Sequence, residues 1–152
     1  MDVGDVVHDF ELATDDGATL RLSEQLAQGP VVLFFYPKAL TSGCTKESCH
    51  FRDLAAEFAA VGAQRLGISA DPVDRQHKFS EKHGFDYPLL SDPDKAVARE
   101  FGVKRPGPLM NKRATFVIDT NRRVLAVIKS ETNMDKHADE ALTVLRARAT
   151  AT

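Results

Sequence analysis

Residues 31–53, VVLFFYPKALTSGCTKESCHFRD, decide how the rest of the chain is read. The first six, VVLFFY, are apolar without alternation, the pattern of a strand covered on both faces of a sheet. Pro37 ends that strand, because it lacks an N–H and its φ is fixed. Past a short loop, Phe51, Leu54, Ala55, Phe58 and Val61 recur at helical spacing and Gly62 supplies a stop. One helix is therefore expected from an N-cap at Ser42 to Gly62. A buried strand that feeds a helix through a loop is the unit of an α/β fold, and ligand sites gather beyond the carboxyl ends of such strands. Both cysteines of the chain, Cys44 and Cys49, lie at this junction.

Working outward, segments 6–13 and 18–22 flank the turn TDDG and read as an N-terminal hairpin. Downstream, a strand is expected at 64–69. Asp71-Pro72 then opens a helix that Gly84 closes. YPLLS is a short strand, Asp92-Pro93 opens a helix through about Glu100, and KRPGPLMNK is a loop. ATFVID and RVLAVIK flank the polar turn DTNR as a second hairpin. The last helix is expected over 135–148, with Ala138, Ala141, Leu142 and Leu145 on its inner face. This order predicts an α/β fold: a central mixed β-sheet with helices on both faces and an N-terminal β-hairpin, the plan of a thioredoxin-like domain. With no repeat, low-complexity tract or linker, 152 residues fit one domain, 1–152.

Twenty basic residues against 22 acidic ones leave a net charge of −2, which argues against nucleic-acid or anionic-membrane binding. The longest apolar run, VVLFFY, is far too short to span a bilayer. MDVGDVVHDF has two early aspartates and no basic stretch before an apolar one, so a cytoplasmic protein is expected. In that reducing compartment two cysteines are more often a metal or redox site than a structural disulfide.

A cysteine in the first turn of a helix sits among unpaired backbone N–H groups at the positive end of the helix dipole. The position of Cys44 therefore predicts a reactive thiol. A zinc site needs four ligands, and two cysteines with His50 beside one of them do not supply it. The spacing C-x-x-x-x-C is also not the C-x-x-C of dithiol reductases. A role for both as small buried hydrophobes stays open on residue type alone. On one helix, residues five apart are about 8 Å distant along the axis and about 140° apart around it. A disulfide needs Cα atoms within about 7 Å, so the two can join only if the first turns unwind. His8, His50, His77, His83 and His137 are scattered and read as surface or cap residues. No glycine-rich phosphate loop appears, and no bound cofactor or metal is expected.

The pattern Pro37-x-x-x-Thr41-x-x-Cys44 resembles the P-x-x-x-T-x-x-C of peroxiredoxins, and CTKESCHFRD resembles the peroxiredoxin Q, or bacterioferritin-comigratory, subgroup. The likeness continues through YPLLSD and RATFVID to the last helix, although Ser42 stands where many members have proline. It implies a thiol-dependent peroxidase acting on hydrogen peroxide and organic hydroperoxides. Cys44 would be the peroxidatic thiol, and Cys49 would resolve its sulfenic acid as an intramolecular disulfide. Thioredoxin or a similar dithiol donor would recycle the pair, in a monomer. Pro37, Thr41 and Arg113 would complete the site with the amides of Gly43 and Cys44. Glu47, one turn past Cys44, would either steer Arg113 or face solvent. Arg113 precedes a strand and Cys44 follows one, so the two meet only if those strands run antiparallel. Two other functions fit the same scaffold: a peroxide-responsive redox sensor and a thioredoxin-like disulfide reductase.

Overall fold

The computed structural model describes residues 1–150; residues 151–152, the end of the expected 1–152 domain, lie outside the described residues. In chain order the elements are β1 (Glu11–Thr14), β2 (Thr19–Arg21), α1 (Leu22–Leu26), β3 (Val31–Phe35), α2 (Ser42–Asp53), α3 (Ala55–Ala60), β4 (Gln64–Ser69), α4 (Val73–His83), β5 (Leu89–Ser91), α5 (Ala96–Glu100), β6 (Ala114–Ile118), β7 (Val124–Lys129) and α6 (Met134–Thr150). The strands form one seven-stranded mixed sheet in the order β2-β1-β5-β4-β3-β6-β7. β3 pairs parallel with β4 and antiparallel with β6, with Phe35 opposite Ala114.

The unbroken apolar run of β3 follows from its position. Val31, Leu33 and Phe35 face one core, shared with Leu22 and Leu26 of α1 and Val97 of α5. Val32 and Phe34, with Tyr36 just past the strand, face a second core, shared with Phe51, Phe58, Phe79 and the Ala138–Leu145 stripe of α6. Phe34 stacks on Phe51 with ring centroids 4.1 Å apart, which docks α2 against β3. Gly67 of β4 makes room for that stack, since a Cβ there would lie 3.0 Å from Phe34 Cζ and 2.8 Å from Leu89 Cδ2. No helix among the described residues is long and apolar enough to cross a membrane.

Several boundaries differ from expectation. The helix expected over 42–62 is two helices that break at Leu54, where Arg65 Nη1 donates to the Phe51 carbonyl at 2.8 Å. The first hairpin is shorter than expected, and Val6 instead bridges Arg123. The short helix α1 was not expected. Asp92 does not open α5 directly: a turn intervenes, and its two carboxylate oxygens accept from the Val97 and Ala98 N–H groups.

Candidate active site

The loop between β3 and α2 is held by its backbone. Ala39 N–H donates to Asp71 Oδ2 at 2.7 Å, and the Ala39 carbonyl accepts from Arg75 Nη2 at 3.2 Å. Asp71 and Arg75 are themselves an ion pair at 3.2 Å, and Ser69 Oγ donates to the same Asp71 oxygen at 2.6 Å. This clamp secures a loop in which Leu40 has φ +66°, a left-handed conformation that costs energy for a residue with a side chain. It also corrects the expected helix start. The Asp71 carboxylate is committed to Ala39 and Ser69, so Pro72, not Asp71, occupies the N-cap of α4.

The N-cap of α2 is Thr41, and Ser42, the expected cap, is the first helical residue. Thr41 does not cap with its side chain; its exposed hydroxyl donates to the Lys38 carbonyl at 2.7 Å. Pro37 is half-buried at the start of the loop.

Cys44 is the third residue of α2 and only 1% exposed. The antiparallel β3/β6 register sets the start of β6 beside the end of β3, and Arg113 precedes β6 by one residue. Its Nη2 donates to Cys44 Sγ at 3.4 Å, its Nη1 to Glu47 Oε1 at 2.8 Å, and its backbone N–H to Glu131 Oε2 at 2.9 Å. The guanidinium Nε is buried and has no acceptor among the described residues. Gly43 permits this approach, because a Cβ there would stand 3.3 Å from Arg113 Nη2 and 3.7 Å from the Met134 thioether. Glu47 accepts from Arg113 and does not face solvent. It is fully buried, and burial pushes its carboxyl up to about 8 although Arg113 pulls the other way.

Cys49 lies in the same helix, half-buried, and both cysteines are free thiols. Burial pushes the Cys49 thiol up, while Arg52 draws it down. The structure thus brings Cys44, Arg113, Gly43 and Glu47 together and keeps Cys49 on the intact helix. His8, His50, His77 and His83 lie at the surface or half-exposed at helix ends, as expected. His137 does not: it is fully buried, with Nδ1 2.7 Å from Thr115 Oγ1, Nε2 2.8 Å from the Ser130 carbonyl, and Nδ1 3.6 Å from Glu47 Oε2. Its place on the stripe that includes Ala141 and Leu145, at intervals of four, was the signal for burial.

Residues 3–127 match the model of the AhpC/TSA family. The chain is 63% identical over 150 residues to a putative peroxiredoxin of Mycobacterium tuberculosis, covering 97% of each chain. It is 37% identical over 147 residues to the chloroplastic peroxiredoxin Q of Gentiana triflora, covering 95% of this chain and 66% of that one. Among solved structures, peroxidoxin BcpB of Mycobacterium tuberculosis superposes with a TM-score of 0.93 at 63% identity, covering 97% of each chain. The bacterioferritin comigratory protein of Xanthomonas campestris, solved in a study of its alkyl peroxide reduction, gives 0.85 at 34% identity over 92% of each. A thiol at a helix start under a buried arginine, on a thioredoxin-like sheet, is thus no isolated coincidence of motif: the chain belongs to the AhpC/TSA family of peroxiredoxins, on the peroxiredoxin Q side, and is a thiol-dependent peroxidase.

Proposed function

We propose that Cys44 is the peroxidatic residue, that Cys49 resolves it, and that a thioredoxin-type dithiol returns both to thiols. The observation that supports this most is the contact of Arg113 Nη2 with Cys44 Sγ at 3.4 Å, inside a buried site anchored by Glu47. The Cys44 sulfur attacks one peroxide oxygen, the O–O bond breaks, and the departing oxygen leaves as water or an alcohol once protonated. Cys44 becomes a sulfenic acid. The Cys49 thiol then displaces water from that sulfenic acid, and the S–S bond forms. The donor dithiol is oxidised as the bond is reduced.

A more acidic thiol alone does not make a fast peroxidase. Lowering a thiol pKa from about 8.5 to about 6 raises the thiolate fraction at pH 7 roughly thirtyfold. Nucleophilicity falls with it, by about tenfold over that interval. The net gain is about threefold. The rest must come from donors aimed at the negative charge that develops on the departing oxygen. Arg113 is suited to this, permanently charged and with its Nε–H unpaired, together with the amides of Gly43 and Cys44; the Thr41 hydroxyl, which donates to the Lys38 carbonyl, joins them only on releasing that bond. Pro37, with no N–H, walls the loop side. An intramolecular Cys44–Cys49 pair needs no second chain, which supports a monomer, and a reducing cytoplasm supplies the donor.

The test is the rate of Cys44 oxidation by hydrogen peroxide in the Cys49→Ser protein, against a small free thiol at the same pH. A rate many powers of ten above the free thiol is expected. A rate within about tenfold of it, the reach of pKa tuning alone, overturns the assignment of Cys44. Turnover of many peroxide equivalents by the unmodified protein with thioredoxin is expected; consumption of about one equivalent would indicate a sensor.

A further inference from the structure

We propose that His137 is a positioning residue acting through Glu47, and that His137, Glu47 and Arg113 form a buried latch that opens each time Cys44 and Cys49 join. The inference rests on the roles proposed above for the two cysteines. Glu47 lies between them in α2, three residues after Cys44 and two before Cys49. The pair cannot bridge on an intact helix, so the turn that unwinds carries Glu47 with it. Glu47 leaves a site where it is 0% exposed, and Arg113 loses the carboxyl oxygen that holds its Nη1 at 2.8 Å. The geometry that attacks peroxide and the geometry that closes the disulfide are therefore mutually exclusive.

His137 closes the far side of this site. The Ser130 carbonyl only accepts, so the ring nitrogen 2.8 Å from it, Nε2, carries the proton. Nδ1 is then the acceptor for the Thr115 hydroxyl at 2.7 Å, and the imidazole is neutral, as its burial favours. The Nδ1 edge stands 3.6 Å from Glu47 Oε2, a buried oxygen with no hydrogen-bond partner. The single Nδ1 lone pair is taken by Thr115, so Oε2 meets the electron-rich acceptor edge of a neutral ring, which favours the protonated acid over the anion. The charged and titratable groups around Glu47 are Arg113 at the start of β6, His137 on α6, Glu131 between β7 and α6, and Cys44 on its own helix. In the folded helix Glu47 holds a proton near neutral pH. Unwinding releases that proton to solvent, and refolding after reduction takes it back.

Two steps are followed separately by stopped-flow: sulfenic acid formation on Cys44 and its condensation with Cys49. In His137→Ala the first is expected to slow on the order of tenfold, as Arg113 loses its alignment, while the second speeds up severalfold because the latch is weaker. Less sulfinic acid then accumulates at high peroxide. His137→Gln, whose amide can serve both Ser130 and Thr115, is expected to move both rates back toward the wild type. If both steps slow together, or neither changes, in a variant with intact circular dichroism, the latch is overturned and His137 is only packed. Glu47→Gln gives an independent readout. Between pH 6.5 and 7.5 the dithiol–disulfide equilibrium of the wild type is expected to shift about tenfold more per pH unit than that of Glu47→Gln, the effect of one extra proton. Parallel pH dependences overturn the proton release. A wild-type protein whose Cys44 fails to react at all would remove the underlying cysteine roles instead, an outcome separate from these.

Discussion

Arg113 joins three parts of the molecule through single hydrogen bonds: the Cys44 sulfur, the Glu47 carboxyl and, from its backbone, Glu131. Replacing it with methionine keeps much of the volume and removes every side-chain donor. Peroxide attack in the Cys49→Ser background is expected to slow by about 10²–10³, the usual cost of losing a donor to developing oxygen charge. Thermal stability should fall as well, because the buried Glu47 carboxyl loses the donor to its Oε1. Gly43→Ala tests the same contact from the other side. Its Cβ would stand 3.3 Å from Arg113 Nη2, so Arg113 must shift, and the attack rate should drop by more than any change in thermal midpoint suggests. The meeting of Arg113 with Cys44 was legible in the sequence, through the family resemblance and the antiparallel strands that it required. His137 was misread as a surface or cap residue although its spacing with Ala141 and Leu145 marked it as inward-facing; its partners, Thr115, Ser130 and Glu47, come from three other segments and no spacing along α6 names them.

Among the elements, the loop at 37–41 depends on α4 and the connection leading into it more than on its own sequence. Asp71 and Arg75 grip both the N–H and the carbonyl of Ala39. Asp71→Ala leaves the buried Ala39 N–H without an acceptor, at an expected cost of about 1.5–3 kcal/mol, read as a lower thermal midpoint. A slower reaction of Cys44 with peroxide should accompany it, as the left-handed Leu40 relaxes and carries Thr41 with it. The strands and long helices were readable from periodicity, since each has one or two apolar faces that must be buried. The break at Leu54 was not, because its cause is the side chain of Arg65, 14 residues from Phe51 in sequence. Asp71 was read as a helix cap for a related reason: local pattern names a carboxylate before a helix but not the distant N–H that takes it.

At the scale of the whole molecule, the buried Glu47 makes stability depend on pH. Its folded value is raised from 4.5 to about 8, so the folded state keeps a proton that the unfolded chain has already lost. The contribution is full below 4.5, declines as pH rises through that window, and is absent above about 8. His137, held low by burial, acts in the opposite sense at the acid end, since only the unfolded chain takes up its proton there. Thermal midpoints of the wild type should therefore fall relative to those of Glu47→Gln between pH 6.5 and 8; equal slopes would contradict this. The sheet order was legible only in part. The need for an antiparallel partner to β3 followed from asking how Arg113 could reach Cys44, and the β3/β6 register meets it.

That register also sets when the chain becomes chemically competent. Cys44 and Arg113 are 69 positions apart, and the helix that carries the thiol is synthesised long before β6. Contacts this remote in sequence form only after the intervening loop has closed. A chain emerging from the ribosome, or one truncated ahead of β6, carries an unremarkable cysteine. On the roles proposed for Cys44 and Arg113, peroxide sensitivity arrives late, with the strand that brings the arginine to the thiol.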